Sequence, residues 1–377
     1  MTSARRPRVV HLLPCLYLGG AEQHVLRLIQ GMSDGYDFAL VAPDGPGDVL
    51  FDAQGVPRRK FRRLEPDVLT GWSSVRAALA AEAAVARVDV VHVHLETGLL
   101  WFARKLLPQA ARVYTAHGIV HMEAMKYFLT SRTVNRWADL VCTVSQHDLD
   151  KFASWGTDAE KLRLLGNGVA TPVATEAGTR EMAERLGVEP GRHVVIGSLS
   201  RLEQEKGLDL LIRAVAGIAP QLPHIRLMIA GSGHHEARLR SLIDALGVAD
   251  QVKLIGFTAS VGDFLGCLDV YVQPSRVEAF GLAVTEAMAM GVPQVVTRVG
   301  GLPEQVVDGE TGFVVPPEDV EALAAALRRL AAEPALRGEM RSAARKRHAE
   351  RFSLDRLFGS MDTVYREAIG IAAQRNV

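Results

Sequence analysis

Short runs of Val, Ile and Leu recur along the chain, each followed by a longer segment with helical spacing, and this alternation constrains the fold more than any other feature. A strand followed by a crossover helix returns the next strand parallel to the first, so the pattern specifies parallel sheets with helices on both faces. Strands are expected near 8–13, 37–42, 89–94, 111–116 and 139–144. The run Val88-Asp89-Val90-Val91 is almost continuously apolar, as a strand covered on both faces requires. The rhythm breaks at Gly166-Asn167-Gly168, and Ala170 to Gly178 is rich in Thr, Ala, Pro and Gly. It restarts with strands near 193–199, 225–230, 252–255, 270–273 and 294–297. Three helical stretches close the chain, from Pro317, Pro334 and Ser353, the first two opened by prolines suited to a first helical turn. The expected fold is α/β, two doubly wound domains, with residues 1–170, a linker 171–190, residues 191–352 and a closing helix 353–377. Ligands of open parallel sheets bind beyond the carboxyl ends of strands, so function is expected in the loops that follow strands, with both sheets' carboxyl ends facing across a cleft.

Lys plus Arg and Asp plus Glu each number 43, so no global field draws the chain to nucleic acid or to an anionic membrane, and any such binding must be local. With 48% hydrophobic residues the chain can fill its cores unaided. Cys15, Cys142 and Cys267 are odd in number and far apart, which implies no disulfide framework and suits a reducing, cytoplasmic compartment. Asp89, His92, His94 and Glu96 interrupt the best candidate for a membrane span. Arg5, Arg6 and Arg8 before apolar Val9 to Leu18 are leader-like, but His11 and Pro14 break that run, and a first strand, a Gly turn and a helix from Ala21 are expected instead.

The strongest local signal is the segment Pro274 to Pro293, which leaves a strand, turns and opens a helix. Free backbone N–H groups near Gly281 and Leu282 would point out of that helix N-terminus toward a phosphate or sugar oxygen. Glu278 stands just before the helix and Glu286 inside it, both able to accept hydrogen bonds from ribose or hexose hydroxyls. After the first strand of the second half, Arg201 and Lys206 flank a strand-to-helix turn ending at Gly207, where a diphosphate would find a guanidinium fork and a point charge. Gly19-Gly20-Ala21-Glu22 holds the corresponding turn after the first strand of the chain, and Gly231-Ser232-Gly233 is a partial dinucleotide fingerprint. His117-Gly118 follows the strand Val113 to Ala116, placing an imidazole at a carboxyl end. No metal is expected: His92, His94 and Glu96 lie along one strand and do not converge, and Asp148 and Asp150 diverge by about 200° on a helix. Arg58-Arg59-Lys60-Phe61-Arg62-Arg63 is a basic run that reads as a solvated loop, with weak contact to an anionic membrane through its five cations as the alternative.

Together these segments, with Asn167-Gly168-Val169 and Gly300-Gly301-Leu302-Pro303-Glu304, resemble the large family of retaining, nucleotide-sugar-dependent glycosyltransferases with the two-domain GT-B fold, often called family four. The spacing Glu278-x7-Glu286 is the most diagnostic part. The resemblance implies two Rossmann-like domains facing across a cleft, the first binding acceptor and the second binding donor, with the last helix crossing back onto the first. It implies Glu286 on the ribose, Glu278 and the backbone of Phe280, Gly281 and Leu282 on the donor sugar, and Arg201 with Lys206 on the diphosphate. It puts Gly19 and Gly20 beside the phosphates, Gly231 at the donor, and His117 near the transferred sugar. Ala170 departs from the Asp common after Asn-Gly-Val, and Ser200 from the Gly common before the arginine. The implied activity is transfer of a hexosyl unit from a nucleotide-diphosphate sugar, UDP by prior, to a saccharide, lipid-linked or small hydroxyl acceptor in cell-surface polysaccharide building, with no cofactor and no nucleic-acid partner. A nucleotide-sugar epimerase, a sugar phosphorylase and a non-catalytic sugar-nucleotide sensor are the alternatives on this fold.

Overall fold

The computed structural model describes residues 5–17, 19–62, 69–118 and 124–375. The chain divides into two compact units, Met1–Gly168 with Leu354–Val377, and Val169–Ser353. Strands of the first are β1 (Arg8–Leu12), β2 (Asp37–Ala42), β3 (Arg58–Lys60), β4 (Val90–His94), β5 (Ala111–Ala116), β6 (Leu140–Thr143) and β7 (Leu162–Leu164). They form one sheet in the order β3-β2-β1-β4-β5-β6-β7, with every pairing parallel. The second unit repeats the scheme with β8 (Val194–Leu199), β9 (Ile225–Ala230), β10 (Val252–Gly256), β11 (Val270–Gln273), β12 (Gln294–Thr297) and β13 (Gly312–Val315). Their order is β10-β9-β8-β11-β12-β13, again all parallel. Strand order therefore reverses between β1 and β4 and between β8 and β11, the positions at which a doubly wound sheet opens a crevice for a ligand.

Side chains alternate across each strand, so each sheet separates two apolar cores. In the first unit Val9 and Val90 face the helix Gly20–Met32 and the helix Leu354–Arg375, whose Leu357, Met361, Val364, Tyr365 and Ala368 complete that core. Val10, Leu12, Val91 and Val93 face Leu79, Leu100 and Phe102 on the other side. The last helix thus belongs to the first unit, fixed further by the Tyr36 hydroxyl donating to Asp362 at 2.8 Å and by the ion pair of Arg163 with Glu367. No helix among the described residues is long and apolar enough to cross a membrane.

Residues 171–190, expected as a linker, are part of the second unit. They carry the helix Glu176–Leu186, which Thr175 caps by accepting from the Gly178 N–H at 2.9 Å. That helix buries Met182, Ala183 and Leu186 in a core of the second unit. Its small and polar residues are cap and turn chemistry, which composition alone does not separate from a flexible tether. The first of the closing helices starts at Val320 behind the cap Asp319, not at Pro317.

The basic run is not an open loop. Arg58, Arg59 and Lys60 form the edge strand β3. The Arg58 side chain is buried and pairs with Asp48, with Asp52 at 3.3 Å and with Asp44 at 4.0 Å. Lys60 takes Asp44 at 2.5 Å, and Arg59 takes Glu82 at 3.2 Å. Arg63 lies outside the described residues; of the other cations of the run Arg58, Arg59 and Lys60 are paired with acids, which lowers the positive potential that lipid contact draws on. Arg58→Ala is expected to lower stability by about 1–2 kcal/mol, less than a fully buried pair because Asp44 and Asp52 remain solvated. Chemical denaturation checks this, while flotation on anionic vesicles should not change.

Candidate functional site

At the switch point of the second unit, β8 runs through Ser200 and Arg201 into a tight turn at Gln204–Lys206, and β11 runs through Pro274 to Gly281 into the helix Leu282–Ala289. Arg276 ties the two loops together. Its backbone N–H donates to the Glu205 carbonyl at 2.8 Å, its guanidinium to the Gln204 carbonyl at 2.8 Å, and its fork to Asp209 at 2.7 and 2.9 Å. Those bonds to Asp209 push the guanidinium above its ordinary range, so it stays charged under any condition the fold survives.

Lys206 and Glu278 meet across this junction, Nζ to Oε2 at 2.9 Å, each side chain only 13% exposed. The same Oε2 accepts from the Ser275 hydroxyl at 3.3 Å and lies 3.5 Å from the Gln273 amide. The Tyr271 hydroxyl in turn donates to Gln273 Oε1 at 2.7 Å. Burial, with the charges of Glu286 and Glu278 behind it, raises that phenol well above its ordinary range, which keeps it a donor. The contacts from Lys206, Ser275 and Gln273 all converge on Oε2, leaving Glu278 Oε1 without one among the described residues. An ammonium has three donors, of which Glu278 takes one. The pair therefore offers both a cation and an acceptor to a ligand.

Phe280 buries its ring, and its carbonyl accepts from the Gln305 amide, whose oxygen receives the Thr285 hydroxyl at 2.8 Å. Gln305 thereby holds both the turn and the first part of the helix that Gly281 caps, where the Val284 N–H donates to the Gly281 carbonyl at 3.0 Å and the N–H groups of Leu282 and Ala283 precede the first intrahelical bond. Glu286 is half-buried, one turn farther on. Arg201 lies at the surface, 67% exposed and paired with Glu205 at 2.7 Å. Gly231-Ser232 packs beside it, Ser232 accepting from the Leu202 N–H at 2.9 Å. Lys206, Glu278, Phe280, Gly281, Leu282, Glu286, Arg201 and Gly231 are thus gathered at one end of one sheet.

The switch point of the first unit gathers Gly19, Gly20 and His117. Gly20 opens the helix Gly20–Met32 after β1, and Glu22, buried, accepts from the Tyr17 N–H at 2.7 Å. His24, one turn into this helix, lies 5.0 Å from His117 between ring centroids. Beneath them runs a file of buried imidazoles. His11 Nδ1 is 2.9 Å from His94 Nε2, and His94 Nδ1 is 2.9 Å from His117 Nε2. His92 contacts the Tyr365 hydroxyl at 2.9 Å and the Thr115 hydroxyl at 2.7 Å. Desolvation lowers every one of these rings, His11 to about 3 and His24 to about 4, so the file is neutral at physiological pH. Leu95, directly after His94, is held at φ +64°, a conformation a branched residue adopts only under constraint.

His11, His92 and His94 bring nitrogen atoms within 4.8 Å of one another. Two of these rings already spend a nitrogen on each other, His11 Nδ1 facing His94 Nε2 at 2.9 Å, and the His92 and His94 rings are tilted by 32° with centroids 4.1 Å apart. Glu96, read with these histidines in the sequence, turns away to accept from the Gly98 N–H at 3.0 Å. Asp148 and Asp150 are separated on the helix Gln146–Ser154.

Sequence reasoning missed His11, His24, Gln273, Ser275, Arg276 and Gln305. The signal for three of them is a polar residue set in an apolar strand or at its end, His11 in Arg8–Leu12, and Gln273 with Ser275 after Val270-Tyr271-Val272.

Residues 18–172 match the family model described as Glycosyltransferase Family 4, and residues 181–347 match Glycosyl transferases group 1. The chain is 37% identical over 214 residues to a GDP-mannose-dependent α-(1-6)-phosphatidylinositol monomannoside mannosyltransferase of Mycolicibacterium smegmatis, covering 54% of this chain and 56% of that one. The chain spans about half the length of the first curated relatives it matches. Among solved structures, a glycosyltransferase from Rickettsia africae ESF-5 superposes with a TM-score of 0.87 at 19% identity, covering 97% of this chain and 99% of that one. Anabaena Alr3699/HepE in complex with UDP superposes with a TM-score of 0.83 at 23% identity, covering 95% and 99%. Both likenesses carry the two-domain parallel-sheet fold.

Proposed function

Since the chain belongs to glycosyltransferase family four, with the GT-B fold, we propose that it transfers a hexosyl unit from a nucleotide-diphosphate sugar to a hydroxyl acceptor, with retention of configuration and without a metal. The observation that carries this reading is the Lys206–Glu278 pair at the β8/β11 switch point, 2.9 Å apart and locked from behind by Ser275 and Gln273.

As the bond from the anomeric carbon to phosphate breaks, negative charge grows on the diphosphate. Lys206, Arg201 and the first-turn N–H groups behind Gly281 supply fixed positive potential for it, which is the work a divalent ion does elsewhere. The sugar becomes oxocarbenium-like, as in glycoside hydrolysis. Glu278, its Oε2 committed to Lys206, orients sugar hydroxyls through Oε1 and is not the nucleophile. The leaving phosphate takes the acceptor's proton on the face from which it departs, which gives retention. Glu286 holds the ribose, Gly19, Gly20 and Gly231 let backbone approach the phosphates, and His117 meets the transferred sugar.

The mycobacterial relative is named for GDP-mannose and the Anabaena structure holds UDP, so the base is the first thing to measure. In a metal-free thermal-shift panel of UDP, GDP, ADP and their sugars, one nucleotide is expected to stabilise the protein by about 2.7 kcal/mol at 100 times its Kd. Glu286→Ala should abolish that shift. A panel in which no nucleotide acts, with or without added metal, would remove the reading. Donor consumed without acceptor to give an isomer would replace it with epimerisation.

A further inference from the structure

The contacts between His11, His94 and His117 constrain one another. A neutral imidazole carries one proton, and each of the two N···N contacts at 2.9 Å needs one proton between its nitrogens. Only two arrangements of neutral rings satisfy both. In the outward arrangement His11 Nδ1–H donates to His94 Nε2, His94 Nδ1–H donates to His117 Nε2, and His117 keeps its proton on Nδ1. In the inward arrangement every proton is shifted, and His11 carries an N–H on Nε2.

His11 Nε2 decides between them. It is buried without a hydrogen-bond partner, and the outer ring face stacks on Phe38 at 5.5 Å. The inward arrangement strands an N–H there, whereas the outward one strands only a lone pair, and orphaned buried N–H groups are the rarer and costlier of the two. His24 follows the same rule. Its Nδ1 donates to the Asn167 side-chain oxygen at 2.8 Å, so its own partnerless Nε2 is likewise a bare lone pair.

We propose that His11 and His94 are positioning residues that lock His117 as the Nδ1–H tautomer, so that His117 meets the transferred sugar as a hydrogen-bond donor and never as a base; the sugar in that statement rests on the glycosyl-transfer reading above. His117 is half-buried, and its Nδ1 has no hydrogen-bond partner among the described residues, so the locked N–H is open to a ligand oxygen. His92, bonded on both sides to hydroxyls that can turn either way, packs beside the file without setting its direction.

The test is a long-range 1H–15N spectrum of the full chain labelled on histidine, recorded without ligand, with His117 assigned by the signal lost in His117→Asn. The expected result is a protonated, pyrrole-type Nδ1 and a bare, pyridine-type Nε2 at His117. In His11→Asp the introduced carboxylate accepts from His94 Nε2, so the file reverses and His117 Nδ1 becomes pyridine-type. With the donor lost, kcat should fall about three- to tenfold, the worth of one hydrogen bond. A pyridine-type His117 Nδ1 in the wild-type chain overturns the proposal, and this result needs no variant to fold. An unchanged His117 spectrum in folded His11→Asp overturns the coupling, and a reversed spectrum with unchanged kcat overturns the donor role. The spectrum is read without turnover, so absence of sugar transfer would count against the proposed function alone.

Discussion

Lys206→Met is expected to lower turnover by about 10²–10³-fold, the loss typical of removing one preorganised group that stabilises developing negative charge. The same change leaves Glu278, 13% exposed, as a carboxylate without its cation, which costs about 1–3 kcal/mol of stability on its own. The two effects separate in the double variant Lys206→Met with Glu278→Gln, where the uncompensated charge is gone. Melting temperature should recover toward that of the parent, while turnover stays low. Full recovery of turnover with stability would show that Lys206 serves the fold and not the leaving group. Single-turnover transfer with saturating donor, beside a melting curve for each variant, gives both readouts.

The two parallel sheets were legible in the sequence because their inner strands are covered on both faces, so that even the four-residue β6 and β11 stand out as apolar runs from the helices between them. What escaped was the rims. β3, β7 and β13 are outermost strands of their sheets, and β3 and β7, at three residues each, are too short for an alternation to register. β3 is also Arg58-Arg59-Lys60, which as composition reads as a solvated loop. Only the placement of Asp44, Asp48, Asp52 and Glu82 around it turns the run into an ion-paired edge, and that placement depends on the pairing of β3 with β2 and on the distant Glu82. The candidate site divides in the same way. Glu278, Glu286, Arg201, Lys206 and His117 were visible because reactive residue types recur at strand ends in a known spacing. Gln273, Ser275, Arg276 and Gln305 act by holding those residues, and a residue that holds another announces itself only through a distance. His11 and His92 show the limit most plainly. They are neighbours in register across β1 and β4, yet far apart in the chain, so the buried file of imidazoles exists only after the strands pair.

Gly300→Ala is expected to destabilise the second unit by about 2–4 kcal/mol and to lower its melting temperature by roughly 5–15 °C. Gly300 sits at φ +51°, which an alanine adopts only with strain. A Cβ there would also fall inside the van der Waals radius of the Glu278 carbonyl oxygen. That contact is backbone, which no rotamer change can relieve, so the Glu278 turn must move. The neighbouring bond from the Gly301 N–H to the Ala279 carbonyl, 3.1 Å long, moves with it. Glu278 then leaves Lys206, and the nucleotide-dependent thermal shift should weaken together with stability. Gly309→Ala is the matched control, because Gly309 has φ +79° but open space where its Cβ would stand. It incurs the conformational cost alone, about 1–2 kcal/mol, and should leave the nucleotide shift intact. Equal melting losses in the two variants would mean that the loop after β12 does not brace the Glu278 turn. A larger loss in Gly300→Ala, with the nucleotide shift gone, would tie the glycine pair after β12 to the ligand end of β11 through one backbone contact.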